Sequence, residues 1–247
     1  MKIEPSEQIL VYGERRIPYR LQFSDRKRLR ITVKPDLNVV ANAPSHYSEE
    51  EAREAVRSKA RWILRQLASF QEFHPLPMPH KYISGETFVY LGRQYRLKVE
   101  TGDRTPAKLR GRYLFVTVPD RTDSTKVKAA VDAWYRVRAE EVFRRYLEAC
   151  MEVAGRHGIS EPELSIRNMR TRWGSCSSAG RITLNLKLIY APVHCIEYVI
   201  MHELCHLAHH DHSPRFYRLL TRCMPDWEKR RKVLSQVVFL KAEPLRL

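Results

Sequence analysis

The chain has 247 residues, 43% hydrophobic and 29% charged, a composition of globular proteins that allows one large domain or two small ones. Its 44 Lys and Arg against 28 Asp and Glu give a net charge of +16, spread along the whole length. That balance favours an anionic partner but argues against a dedicated nucleic-acid arm. Five Cys with no Cys-x-x-Cys pair argue against a disulfide framework and against a Cys-type zinc site. No run is apolar enough for a membrane span or a secretion signal, so the cytoplasm is the expected compartment.

Taken in chain order, Gln8–Tyr12, Ile17–Phe23, Leu29–Val33 and Val39–Ala43 alternate with period two and predict four strands, separated by Gly13, Asp25 and Pro35-Asp36. Ser48, with Glu51 three residues on, is a capping box, and Ala52, Val56, Ile63, Leu67 and Phe70 carry one predicted helix over 48–72. His74 to Pro79 holds three prolines and predicts a linker. Phe88–Leu91, Tyr95–Val99 and Tyr113–Val118 predict strands, the first two forming a hairpin through Gly92-Arg93. A long helix follows from Ser124 to Arg156, stopped by Gly155 or Gly158. Leu164–Arg167 predicts a strand, Trp173 to Cys176 a tight turn, and Ile182–Leu188 another strand. Ala191-Pro192 opens a helix, and two more are predicted from Pro214 and over Trp227–Val238. No internal repeat is visible. The expected division is a β-rich region with one helix over 1–119 and an α+β domain over 120–247.

The chemistry concentrates at His202-Glu203-Leu204-Cys205-His206. Two His four residues apart share one face of a helix, one turn apart, and can meet one zinc ion at about 2.1 Å each. Glu203 lies beside that pair, placed to take a proton from a metal-bound water. A merely His-rich surface helix is the bland alternative, but Tyr198, Val199, Ile200 and Leu204 mark a core helix, where paired His need a reason to be buried. A catalytic zinc wants a third protein ligand and an open position. His209 and His210 continue the same helix and would have to span about 10–12 Å, so they are poor candidates. His212 qualifies only if the helix breaks between His206 and His212 and the chain turns back, for which His209–Asp211 is the natural place; otherwise it is a solvated neighbour of a cap at Ser213.

Trp173-Gly174-Ser175-Cys176-Ser177, Ile182-Thr183-Leu184-Asn185, Tyr190-Ala191-Pro192, the stretch Ile196 to His206, His212-Ser213 and Phe216 together resemble the YgjP-like metallopeptidase family, a relative of SprT-like zincins. The likeness is specific over 167–217 and looser at Arg26, Arg28, Arg30, Ser84-Gly85-Glu86 and Tyr90-Leu91-Gly92. It implies a zincin-like α+β catalytic domain and one zinc ion per chain. By position it assigns His202, His206 and His212 as ligands and Glu203 as the catalytic carboxylate. The spacing of the three His also fits the metzincin pattern, except that His209 stands where those proteins carry a glycine; Met224 could mimic their methionine turn but reads more simply as a core residue.

In zincins the strand before the active helix lines the substrate groove, so by resemblance Ile182–Leu188 is that strand, and Asn185 either faces the cleft or satisfies local backbone. Tyr217, Tyr190 and Arg172 are candidate donors to the transition state. Arg26, Arg28 and Arg30 on one strand face, with Arg167, Arg170 and Arg172, form either solvated faces or grips for a polyphosphate. Three functions compete: a zinc metallopeptidase acting on peptides or proteins, a metal-dependent nucleoside triphosphate pyrophosphatase, and a basic zinc protein that binds nucleic acid with Glu203 idle.

Overall fold

The computed structural model describes residues 6–34, 36–71, 80–103, 105–169 and 172–237. They form two compact units, one ending at residue 71 and one starting at residue 80. The expected linker at 74–79 lies outside the described residues. Among the described residues no helix is long and apolar enough to cross a membrane.

In the first unit, strands β1 (Ser6–Tyr12), β2 (Arg15–Ser24), β3 (Arg30–Val33) and β4 (Val39–Pro44) make one sheet in the order β1-β2-β4-β3. Its inner face presents Leu10, Ile17, Leu21, Val39 and Ala41, all buried. They share a core with helices α1 (Glu49–Arg57) and α2 (Ala60–Gln71) through Ala52, Val56 and Ile63. The capping box forms as expected: Glu51 N–H donates to Ser48 Oγ at 3.2 Å, and Ser48 N–H to the Glu51 carboxylate at 2.7 Å. The single helix expected over 48–72 is two: α1 ends at Arg57, with Ser58 as its C-cap and Ser58 Oγ donating to Ala55 O at 2.8 Å, and α2 starts at Ala60.

The second unit starts with β5 (Thr87–Tyr90), β6 (Arg93–Thr101), β7 (Thr105–Arg110) and β8 (Tyr113–Val118), ordered β5-β6-β8-β7. This repeats the first sheet. Each opens with an antiparallel hairpin closed by a two-residue loop, each then pairs in parallel, and each ends antiparallel. Leu10 opposite Ile17 corresponds to Phe88 opposite Tyr95, and Leu21 opposite Ala41 to Val99 opposite Val116. A capped helix follows both sheets, from Ser48 in one case and Asp123 in the other. The repeat is faint in the sequence because only Val-Tyr-x-x-Arg recurs, at 11–15 and 89–93; elsewhere what recurs is an alternation of burial. Strand β7 is an addition to the expected strands; it is a half-polar edge strand containing Pro106, with weak alternation.

Helix α3 (Ser124–Ala154) packs on this sheet, with Val127, Val131 and Trp134 in one core with Leu97, Val99, Leu114 and Val116. That shared core is why the units part between residues 71 and 80 and not at 119/120: strands 87–118 bury their face on α3 and belong with it. The helix runs into a 3-10 turn that Gly158 stops at φ 77°.

Strands β9 (Glu163–Arg167), β10 (Gly174–Cys176) and β11 (Arg181–Asn185) form a third sheet in the order β10-β11-β9. Residues 174–176, expected as a turn, are thus an edge strand, and the strand expected to reach Leu188 ends at Asn185, where a 3-10 turn over Leu186–Tyr190 begins. Helices α4 (Val193–Ala208), α5 (Pro214–Cys223) and α6 (Trp227–Gln236) complete the unit. The α4 residues Ile196, Val199, Ile200 and Leu204 are fully buried, so this helix is the spine of the core.

Candidate metal centre

Helix α4 carries His202, Glu203 and His206 into the interior, where they are 4%, 2% and 9% exposed. The helix stops at His209, whose extended backbone (φ −139°, ψ 102°) cannot continue it. The chain turns over Asp211 and re-enters α5 after Ser213, which brings His212 back over the helix. His202 Nε2 lies 3.2 Å from His206 Nε2 and 3.1 Å from His212 Nε2. The chain reversal that His212 requires is therefore present. His209 and His210 stay outside this cluster. His209 contributes its carbonyl instead: it accepts a hydrogen bond from His206 Nδ1 at 3.0 Å.

These three rings fit a cation. A carbonyl only accepts, so His206 Nδ1 carries the proton and His206 Nε2 presents a lone pair toward the other rings. Burial and the neighbouring imidazoles push the His202 pKa down to about 3, and burial lowers that of His206, so both are neutral at pH 7, the form that binds metal. Two nitrogens about 2.1 Å from one tetrahedral ion stand roughly 3.4 Å apart, close to the spacings observed. Phe216 is fully buried and packs against all three rings, at 4.9 Å from His202, 4.5 Å from His206 and 5.0 Å from His212. In the sequence it stands out only through its place in the resemblance, because α5 spacing makes it a core residue whichever way it is read.

Glu203 leaves α4 toward β10. A Cβ built on Gly174 would stand 2.5 Å from Glu203 Oε1 and 2.8 Å from its Cγ, so only glycine lets the carboxylate take this seat. Burial pushes the Glu203 pKa up to about 8, with Arg172 pulling the other way. Gly174 thus seats Glu203, where the residue pattern alone points to a turn.

Asn185 does not face the cleft. It is fully buried, and its amide is spent on backbone: Nδ2 donates to Met169 O at 2.9 Å and Arg172 O at 2.6 Å, while Oδ1 accepts from Met169 N–H at 3.3 Å and Lys187 N–H at 3.1 Å. Both donors and both lone pairs are used, which leaves nothing for a substrate. The residue pins the segment leading to β10. Asn185→Ala is expected to cost about 1–3 kcal/mol, because it strands buried backbone groups; urea unfolding of the two proteins measures it.

Of the other candidates, Tyr217 is half-buried with its ring 6.2 Å from that of His212, stacked on Trp227 at 5.4 Å. Arg172 is exposed, and its charge is felt at Glu203. Tyr190 packs edge-on against Tyr135 at 4.8 Å. Met224 is buried in the core at the end of α5, in keeping with its simpler reading. Cys176 and Cys205 are free thiols, and burial raises the pKa of both, as inert thiols require. Strand β11, expected to line the groove, is the central strand of its sheet and pairs on both sides, so it has no free edge. The edge strand beside α4 is β10.

No curated protein matches the chain significantly. Among solved structures, the metallopeptidase zymogen abylysin of Pyrococcus abyssi is similar at 22% identity, over 39% of this chain and 91% of that one, with a TM-score of 0.35, too weak to place the fold. The family model for the YgjP-like metallopeptidase domain matches residues 27–237. That match takes in part of the first compact unit, the described residues of the second and every residue of the His cluster, and the chain belongs to the YgjP-like metallopeptidase family.

Proposed function

We propose that the protein is a zinc-dependent peptidase with a zincin-like α+β catalytic unit, binding one ion through His202, His206 and His212 and using Glu203 as its acid–base group. The observation that carries this reading is the convergence of three imidazole nitrogens beside a buried carboxylate. A zinc ion held by these three side chains would supply Lewis acidity toward a carbonyl oxygen and toward water. Glu203 takes the proton of the attacking water and returns it to the departing amine. Gly174 and the walls of α4 hold that carboxylate in place, and the dry surroundings strengthen its interaction with developing charge. Strand β10 offers its free edge for an extended substrate segment to pair in β fashion. Tyr217 and Arg172 remain candidates for contact with the substrate.

An idle Glu203 fits poorly, since burying a carboxylate without a task costs several kcal/mol; this favours an enzyme over a passive nucleic-acid binder. The pyrophosphatase reading rests on arginines, of which Arg172 is the one whose charge acts on Glu203. Assaying the zinc-loaded protein on a peptide library and on nucleoside triphosphates decides between them: peptide cleavage is expected, and triphosphate hydrolysis with no peptide cleavage would overturn the reading. Gly174→Ala is expected to lower peptide kcat/KM about 100-fold with the zinc content unchanged, because it displaces Glu203 by the order of 1 Å; steady-state kinetics and metal analysis check both parts.

A further inference from the structure

We propose that strand β1 is the contact through which two copies of this chain pair into a two-fold dimer. Among the described residues, six large hydrophobic side chains are exposed, and three of them, Ile9, Val11 and Tyr12, lie on this one strand. Strand β1 is an edge of its sheet. Its sequence, SEQILVY, contains no Lys and no Pro, and its pairing with β2 runs without a bulge, so none of the usual devices blunts the edge.

The repeated sheet shows how such an edge is used. In the second unit the corresponding strand is β5, and it is covered. Val89 O accepts the Tyr135 hydroxyl at 2.7 Å and Tyr90 packs on Trp134 at 4.9 Å, while in the loop that follows Leu91 N–H donates to Ile189 O and Gly92 N–H to Tyr190 O, both at 3.0 Å. Val11 and Tyr12 are the equivalents of Val89 and Tyr90, and they stand in solvent at 54% and 40% exposure.

Among the described residues no strand pairs with the outer edge of β1, and a second β1 fits it. Tyr12 and Arg15 flank the two-residue loop and face each other, so the groups that alternate outward belong to Glu7, Ile9 and Val11. An antiparallel copy centred on Leu10 places Ile9 opposite Val11 of the second copy and Val11 opposite its Ile9, with Leu10 against Leu10. Outward N–H and C=O groups then pair twice over, and the exposed apolar side chains cover one another. The strand carries a single charged residue, Glu7, which this register sets against Gly13, so no like charges meet. The arrangement is isologous and closes on itself.

The test is sedimentation of the full chain over a concentration series, for the wild type and for Val11→Lys. The wild type is expected to reach twice the chain mass, and Val11→Lys to stay at the single-chain mass with an unchanged circular dichroism spectrum. The register is read with an Ile9→Cys, Val11→Cys double variant and a short thiol-to-thiol linker, which should give a covalent dimer absent from the identically treated wild type and formed far less by either single variant. A wild type at single-chain mass throughout, or a Val11→Lys protein that dimerises as the wild type does, overturns the proposal.

Discussion

Glu203→Gln is expected to lower kcat for peptide hydrolysis by about 10²–10⁴-fold while the protein keeps its zinc and its fold. Glutamine preserves the volume that fits against Gly174, so neither packing on β10 nor the position of α4 should change. It removes the buried carboxylate that the proposed mechanism uses to take a proton from water and deliver it to an amine. The effect should fall on kcat, with KM nearly unchanged, since a group used only in the transition state contributes little to ground-state binding. Steady-state kinetics on a peptide substrate, with metal analysis of both proteins, reads all three quantities. Full activity in Glu203→Gln would remove Glu203 from the mechanism.

His206→Ala is expected to reduce activity to background by a different route, through loss of the metal. Two nitrogens would remain, and zinc affinity should fall by more than the roughly 10–100-fold that losing a mere outer partner of a ligand costs. The consequence extends to stability. A ligand at about 1,000 times its Kd stabilises the folded state by about 4 kcal/mol, so chelation should lower the melting temperature of the wild type markedly and that of His206→Ala very little. Differential scanning calorimetry with and without a chelator measures the contrast. A wild type indifferent to chelation would contradict the assignment of this cluster as a metal site.

Much of this site is legible in the sequence because helices are periodic. A spacing of four residues puts His202 and His206 on one face of a helix, and the apolar residues around them mark that helix as buried. The return of His212 is legible only as a condition: the helix has to break, and the extended backbone at His209 is where it does. Strands β1 to β4 are legible from alternation and firm turn residues. The break at Ser58 is not, since a serine in a helical pattern looks the same whether its hydroxyl bonds its own backbone or water. Strand β10 is invisible at three residues, and with it the reason for Gly174, which depends on a carboxylate 29 positions away in the chain. Asn185 shows the same limit: its residue type fits a cleft or a latch, and only its four hydrogen bonds decide. The expected boundary at 119/120 follows the end of the predicted strands, whereas the units divide where a core ends, and α3 shares its core with the sheet before it.

The most direct measurement is zinc K-edge X-ray absorption on the full chain loaded with one equivalent of zinc. Three imidazole nitrogens and one oxygen, all at about 2.0–2.1 Å, are expected, with one imidazole lost in His212→Ala. A sulfur shell near 2.3 Å, fewer than three imidazoles, or a spectrum unchanged by His212→Ala would contradict a centre built from His202, His206 and His212.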